Sequence, residues 1–375
     1  MATTNLKTNF VGMLTQYAKP RKGFATYFTS RPGDISDALL VEFHKLSSYR
    51  YTSKARARGS QGDVNDAQVW KKVTEEPPKY IEKMPFVLSD YDRSAIGQTE
   101  YDKAQRQVTM MSKLASDMSI LMDKITRAEC LQASKIFQTG GIPFKTDGMG
   151  VGVDDVSFDV PSTNFDALTN SGDELYWDNG SAKIWANIES RCRLVATNSG
   201  GTSWVKDIVF GESAFNELMS NTAFMDKFNK LKLTVGEIDL KEADENGFAL
   251  FGKVVFAGHT VRLMTLIEDY IDPADNSTLK PYINTNNVVF IGSGDYRIHH
   301  AGVDVIKDIG MDAFSSFIPA NGNIKSIGAR EASSLYVRTF TDPSASSVFL
   351  EASKFPLYIP HTSNTFGCMK VLANV

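Results

Sequence analysis

The chain is short of most things that carry chemistry. Three cysteines, Cys130, Cys192 and Cys368, lie far apart in 375 residues, and no CxxC pair occurs. This excludes a disulfide framework or a zinc knuckle and leaves buried, reduced thiols as the expectation. No apolar run approaches the roughly 20 residues of a membrane span, and "MATTNLKTNFVGMLTQYAKP" lacks the basic-then-apolar layout of a secretory signal. Synthesis and folding in a cytoplasm, away from membranes, are therefore expected.

Catalytic signatures are missing too. There is no GxxxxGK[ST], no HExxH and no GxSxG. "GMGVGVDD" is an incomplete dinucleotide fingerprint following a loop, and "FIGSGDYR" follows a strand without a phosphate-binding lysine; both read as turns. The five histidines are His44, His259, His299, His300 and His361, and the adjacent pair would point to opposite faces of a strand. Asp154-Asp155 and Glu242/Asp244 sit among acidic loop residues with no evident pocket. No catalytic, cofactor-binding or metal-binding residue is assigned, and no enzyme activity is expected.

What is present is a well-balanced globular composition, 42% hydrophobic and 22% charged, large enough for one big core or two to three smaller ones. Its charge is uneven. Residues 1–60 hold ten basic residues against three acidic ones, a balance of +7, which leaves −11 for the remainder of a chain totalling −4. A basic leading stretch on an acidic body suits contact with a polyanion or with another subunit's acidic surface. Lys7, Lys19, Arg21 and Lys22 are its candidate DNA-facing residues.

Along the chain, residues 1–40 carry turn signals such as "KPRKG" and "SRPGD" and read as an arm lying on something else. Residues 40–90 read as two long strands joined by the polar, basic tip "KARARGSQGDVND". In the second strand Tyr80, Met84, Phe86 and Leu88 share one face, with Ile81 and Val87 on the other. Such a hairpin is marginal alone and needs a neighbour. Pro77, Pro78 and Pro85 withhold backbone donors, and Lys71, Lys72, Lys79 and Lys83 charge its edge, so indiscriminate pairing is discouraged.

A long helix is predicted next, from a Thr99/Asp102 capping box to a Gly140-Gly141 stop. Val108, Met111, Leu114, Ala115, Met118, Leu121, Met122, Ile125 and Ala128 recur at helical spacing, and the helix would reach about 58 Å at 1.5 Å per residue. "VGVDDVSFDVP", 151–161, alternates like a strand, and Ser181 to about Asn198 reads as a second amphipathic helix. From Trp204 onward strands and short helices interleave, which indicates an α+β protein. No internal repeat or clean linker is found.

The order of these pieces resembles the tailed-phage major capsid proteins of the lambda type, the major capsid protein E family, which has the HK-97-like shell fold. "YTSKARARGSQGD" with "VTEEPPKYIEKMPFVLSD" resembles the family's extended E-loop. "TEYDKAQRQVTMMSKLASDMSILMDKITRAECLQASKIFQTGGIPF" stands where the spine helix belongs. "FGKVVFAGHTVRLMTLIEDYIDPADNSTLKPYINTNNVVFIGSGDYRIHHAGVDV" follows the family's run of strands around a variable polar insertion, and "SSVFLEASKFPLYIPHTSNTFGCMKVLANV" its closing strands. Residues 158–178 do not align with the family pattern.

The resemblance implies an N-terminal arm (1–40), an E-loop (41–92), a P-domain (93–200, spine helix about 99–138), an A-domain (201–335) and a return to the P-domain (336–375). It implies a homo-oligomer of pentamers and hexamers in an icosahedral virion shell around double-stranded DNA. The E-loop residues Arg56, Arg58, Trp70, Lys71, Lys72, Pro77, Pro78 and Tyr80 would contact neighbouring subunits. It further implies a portal, a separate scaffold, which the short N-terminal region before the hairpin permits, and decoration proteins in some relatives. Lys54, Lys71 and Lys72 are the lysines from which a covalent cross-link of the kind some relatives form would start. An encapsulin-type nanocompartment and a soluble α+β hydrolase are the alternative readings.

Overall fold

The computed structural model describes residues 20–46, 70–86, 103–235, 243–306, 328–331, 335–342 and 347–373. Its longest element is helix α1, Lys103–Thr139, whose 37 residues span about 55 Å. No proline interrupts it. It ends where Gly140 turns into the left-handed region at φ 76° and donates its N–H to the Ile136 carbonyl. A side chain at Gly140 would strike the Phe165 ring, so glycine is required there twice over.

A six-stranded mixed sheet forms the centre, in the order Phe165–Ala167, Phe366–Lys370, Asn287–Gly292, Val205–Phe210, His259–Leu266, Phe248–Phe256. Its middle strands are near-continuous apolar runs, as expected where both faces are covered. Alternation divides them between two cores. Val289 and Ile291 face the layer that holds α1, together with Phe137, Phe24, Phe28, Tyr296 and Phe366. Val288 and Phe290 face the opposite layer, built from α2 (Ile184–Asn198), α3 (Glu212–Ser220) and α4 (Thr222–Val235). In α2 the buried positions are Ile184, Ile188, Cys192 and Val195, the apolar stripe of the sequence.

Phe137 joins three parts of the chain. Its ring centroid lies 5.6 Å from Phe24, 5.5 Å from Phe28, 5.4 Å from Tyr296 and 5.2 Å from Phe366. The leading segment from residue 20 is thus built into its own subunit, whereas the turn signals suggested an arm laid on another body. Gly23, Phe24 and Phe28 are buried, and Tyr27 donates to Asp207 at 3.0 Å while Arg262 grips the same carboxylate in a fork at 2.5 and 2.7 Å.

The strand Tyr80–Phe86 also departs from expectation. It does not run back along Val41–Leu46 as the second arm of a long hairpin. It pairs antiparallel with Ser347–Lys354, itself paired with Tyr336–Asp342, in a three-stranded sheet. The predicted facing holds for Tyr80 and Met84, which pack with Leu350 and Ala352 on Leu121 and Ile125 of α1, while Val87 and Leu88 lie outside the described residues. The stretch 151–161 forms only the two-residue strand Val156–Ser157, paired with Gly141–Ile142. Asp159, at φ 50°, bends the chain away and ends the alternation. The predicted capping box at Thr99 and Asp102 lies outside the described residues.

Candidate subunit-contact surfaces

The extended hairpin consists of Val41–Leu46 and Trp70–Glu75, antiparallel, with Val41 opposite Glu75 and Leu46 opposite Trp70. Among the described residues no third strand joins it. The register sets Lys45 opposite Lys71 and His44 opposite Lys72.

The hairpin grows from a fixed base. Ser36 N–H donates to the His300 carbonyl at 3.0 Å, and Gly302 N–H to the Ala38 carbonyl at 2.9 Å. Gly302 permits this approach: a β-carbon there would come within 2.6 Å of the Asp37 carbonyl carbon and 2.8 Å of its α-carbon. Val41 is buried in the main core. Beneath the base lies a charged cluster. Asp34 accepts the Arg31 N–H at 2.9 Å and lies 3.6 Å from Arg297 and 3.8 Å from His299. Arg297 pairs with Asp295 at 2.7 Å, holding that carboxyl below its ordinary range. His299 Nε2 and His361 Nε2 are 2.8 Å apart and share a hydrogen bond. Burial lowers the pKa of both rings and takes that of His300 down to about 4.

The eight E-loop positions do not fall together. Arg56 and Arg58, with the cross-link candidate Lys54, lie outside the described residues. Trp70, Lys71 and Lys72 are on the hairpin. Pro77 and Pro78, expected at a neighbour's surface, are buried in their own subunit. Tyr80 belongs to the same correction: its hydroxyl accepts from Gln132 of α1 at 2.5 Å, and burial raises its pKa. They are turned inward because the chain leaves the hairpin at Glu75 and re-enters the subunit sheet at Tyr80. Of the basic stretch, Lys7 and Lys19 are outside the described residues. Arg21 and Lys22 are exposed, and Arg21 pairs with Glu268 at 3.0 Å.

The glycine-bearing and acidic stretches are occupied by local turns. The Asp155 carboxylate accepts the N–H groups of Lys145 at 2.7 Å and Thr146 at 3.2 Å, and its hydrogen bond from the Thr146 hydroxyl lowers its pKa first of all. Asp244 accepts from Asn246 and Phe248. In "FIGSGDYR", Asp295 N–H donates to Thr362 and the Tyr296 hydroxyl to the Gly292 carbonyl. Among the described residues no three metal-ligating side chains converge, and no helix is long and apolar enough to cross a membrane. All three cysteines are buried and unbridged, and burial pushes each thiol up to about 12.

The sequence model of a family described as phage major capsid protein E matches residues 25–367. No curated protein matches the chain. Among solved structures, one described as the capsid protein of an E. coli CFT073 prophage has a TM-score of 0.53 at 13% identity, covering 81% of this chain and 80% of that one. The capsid of a native GTA particle gives 0.44 at 11% identity, covering 95% and 92%. The capsid of Myoviridae phage XM1 gives 0.43 at 9%, covering 95% and 93%. The first of these likenesses carries the fold.

Proposed function

Since the chain belongs to the phage major capsid protein E family, we propose that it forms the head of a tailed phage, as pentamers and hexamers of an icosahedral shell around double-stranded DNA. Its role is that of a capsid shell protein, and its α+β fold is of the HK-97 type. The family match over residues 25–367 carries the reading and sets aside the nanocompartment and hydrolase alternatives. The family is a structural one, and the reading assigns the chain no catalysis.

We propose the division of labour as follows. The E-loop, 41–92, lies across a neighbouring subunit through Arg56, Arg58, Trp70, Lys71 and Lys72. Support comes from the ladder, which among the described residues has two strands only and whose sequence is rich in lysine, and from the −11 balance beyond residue 60. Pro77, Pro78 and Tyr80 anchor the loop's return rather than meet the neighbour. The P-domain, 93–200 with its spine helix, and the returning 336–375 carry the loop, and 201–335 forms the A-domain. Copies that meet at several slightly different angles tolerate a narrow ladder better than a broad rigid face. Shell strength then comes from many repeated contacts. The basic stretch holding Lys7, Lys19, Arg21 and Lys22 meets packaged DNA without sequence preference. A separate scaffold and a portal complete the assembly in the host cytoplasm, with decoration proteins a feature of some relatives.

Electron microscopy of the expressed chain tests the shell, with shells as the expected result and only small oligomers as the refutation. Lys71→Glu with Lys72→Glu tests the loop: the subunit keeps its fold while shell yield falls at least about tenfold. For the DNA contact, the affinity of empty shells should fall as salt rises, and a flat response refutes it.

A further inference from the structure

A small hairpin beside the main core, Asp269–Ile271 paired with Leu279–Pro281, wears its apolar side outward. Ile271 and Leu279 are direct cross-strand partners and are 59% and 64% exposed. Ile267, in the connection just before the hairpin, is 62% exposed. Single exposed aliphatics are ordinary, but two opposed across so small a ladder, with a third just before it in the chain, are a concentration of apolar surface.

The hairpin is held firmly from behind. Tyr270 is buried with its ring 5.0 Å from Tyr282. Asp272 is buried, pairs with Lys280 and accepts the Ala274 N–H at 3.1 Å. At the tip Asp275 accepts the N–H groups of Ser277 at 2.9 Å and Thr278 at 3.0 Å. The inner side therefore fixes the outer side in one conformation, as a recognition surface requires.

We infer that this patch is a contact between copies of the chain in the shell; the inference rests on the capsid reading above. A second copy is the occupant for two reasons. A capsid shell protein meets its own copies along several edges, since each subunit adjoins others around its perimeter in the shell layer. The charge around the patch also fits this chain: Asp269 and Asp275 border the aliphatics, and the first sixty residues of a neighbour carry a balance of +7. Within one subunit that basic stretch already meets this edge, where Arg21 pairs with Glu268.

The buried native thiols make the test direct, since Leu279→Cys introduces the one exposed sulfhydryl. Maleimide labelling of that variant should slow at least about tenfold on passing from free subunits to assembled particles. A folded Leu279→Cys subunit that no longer assembles supports the contact as well. Equal labelling in both states overturns the contact and leaves the capsid reading standing. Ile271→Ser with Leu279→Ser supplies the second measurement. The subunit should keep its melting temperature while its assembly threshold rises about tenfold, and an unchanged threshold again overturns the contact. If the wild-type chain forms no particle at all, the capsid reading falls and takes this surface with it.

Discussion

Phe137 and Gly302 do opposite jobs at the scale of the single residue. Phe137 fills space where α1, the leading segment and the sheet meet. Phe137→Ala removes five ring contacts in a site closed on all sides, and chemical denaturation should register a loss of about 3–5 kcal/mol. Gly302 leaves space empty so that Asp37 can approach. Gly302→Ala meets backbone, which cannot swing aside like a side chain, and should cost about 1–3 kcal/mol. Hydrogen exchange should place that loosening at residues 36–41, the base of the hairpin, with the central sheet still protected. Unchanged protection there would show that the base has another support.

The element scale turns on how α1 is tied to the strand Ser347–Lys354. Lys354 reaches Glu129 at 3.0 and 3.2 Å, both largely buried. Burial raises the Glu129 carboxyl pKa in spite of the lysine, so removing the charges from water outweighs their attraction. Lys354→Met, which strands the carboxylate, should destabilise by about 3–5 kcal/mol, whereas Glu129→Leu combined with Lys354→Met should restore most of that loss. Thermal melts of the two variants decide it. None of this pairing was legible in the sequence, though the elements were. The proline-free apolar period located α1 to within a few residues, because helical contacts are local. For Tyr80–Phe86 the alternation announced a strand and its inner face, yet its partner lies some 260 residues on, where no local pattern points. Phe24 and Phe28 were legible only as aromatics; the charges and turns around them hid their burial. The second half of the hairpin, after Ile271, read as a polar insertion, since Asp272, Asp275 and Lys280 dominate its composition.

For the molecule as a whole, the three clustered histidines set a pH response. His299, His300 and His361 are held neutral below the ordinary range for imidazole, so the unfolded chain takes up protons first as pH falls. Their stabilising contribution is complete above about pH 6.5 and is lost progressively toward pH 4. Asp34, Asp295 and Arg297 face the same cluster, and Lys354 lies near His300. The melting temperature should therefore drop across this window, and His300→Gln should flatten the drop. A variant curve parallel to that of the wild type would assign the response elsewhere.

The strand Phe366–Lys370 sits inside the central sheet, with Asn287–Gly292 on one side and Phe165–Ala167 on the other. Until residue 370 has been translated, the sheet is split and Phe165–Ala167 has nothing to join. The central sheet therefore closes only when a segment about 200 residues downstream of Phe165 arrives, so its folding is late and cooperative.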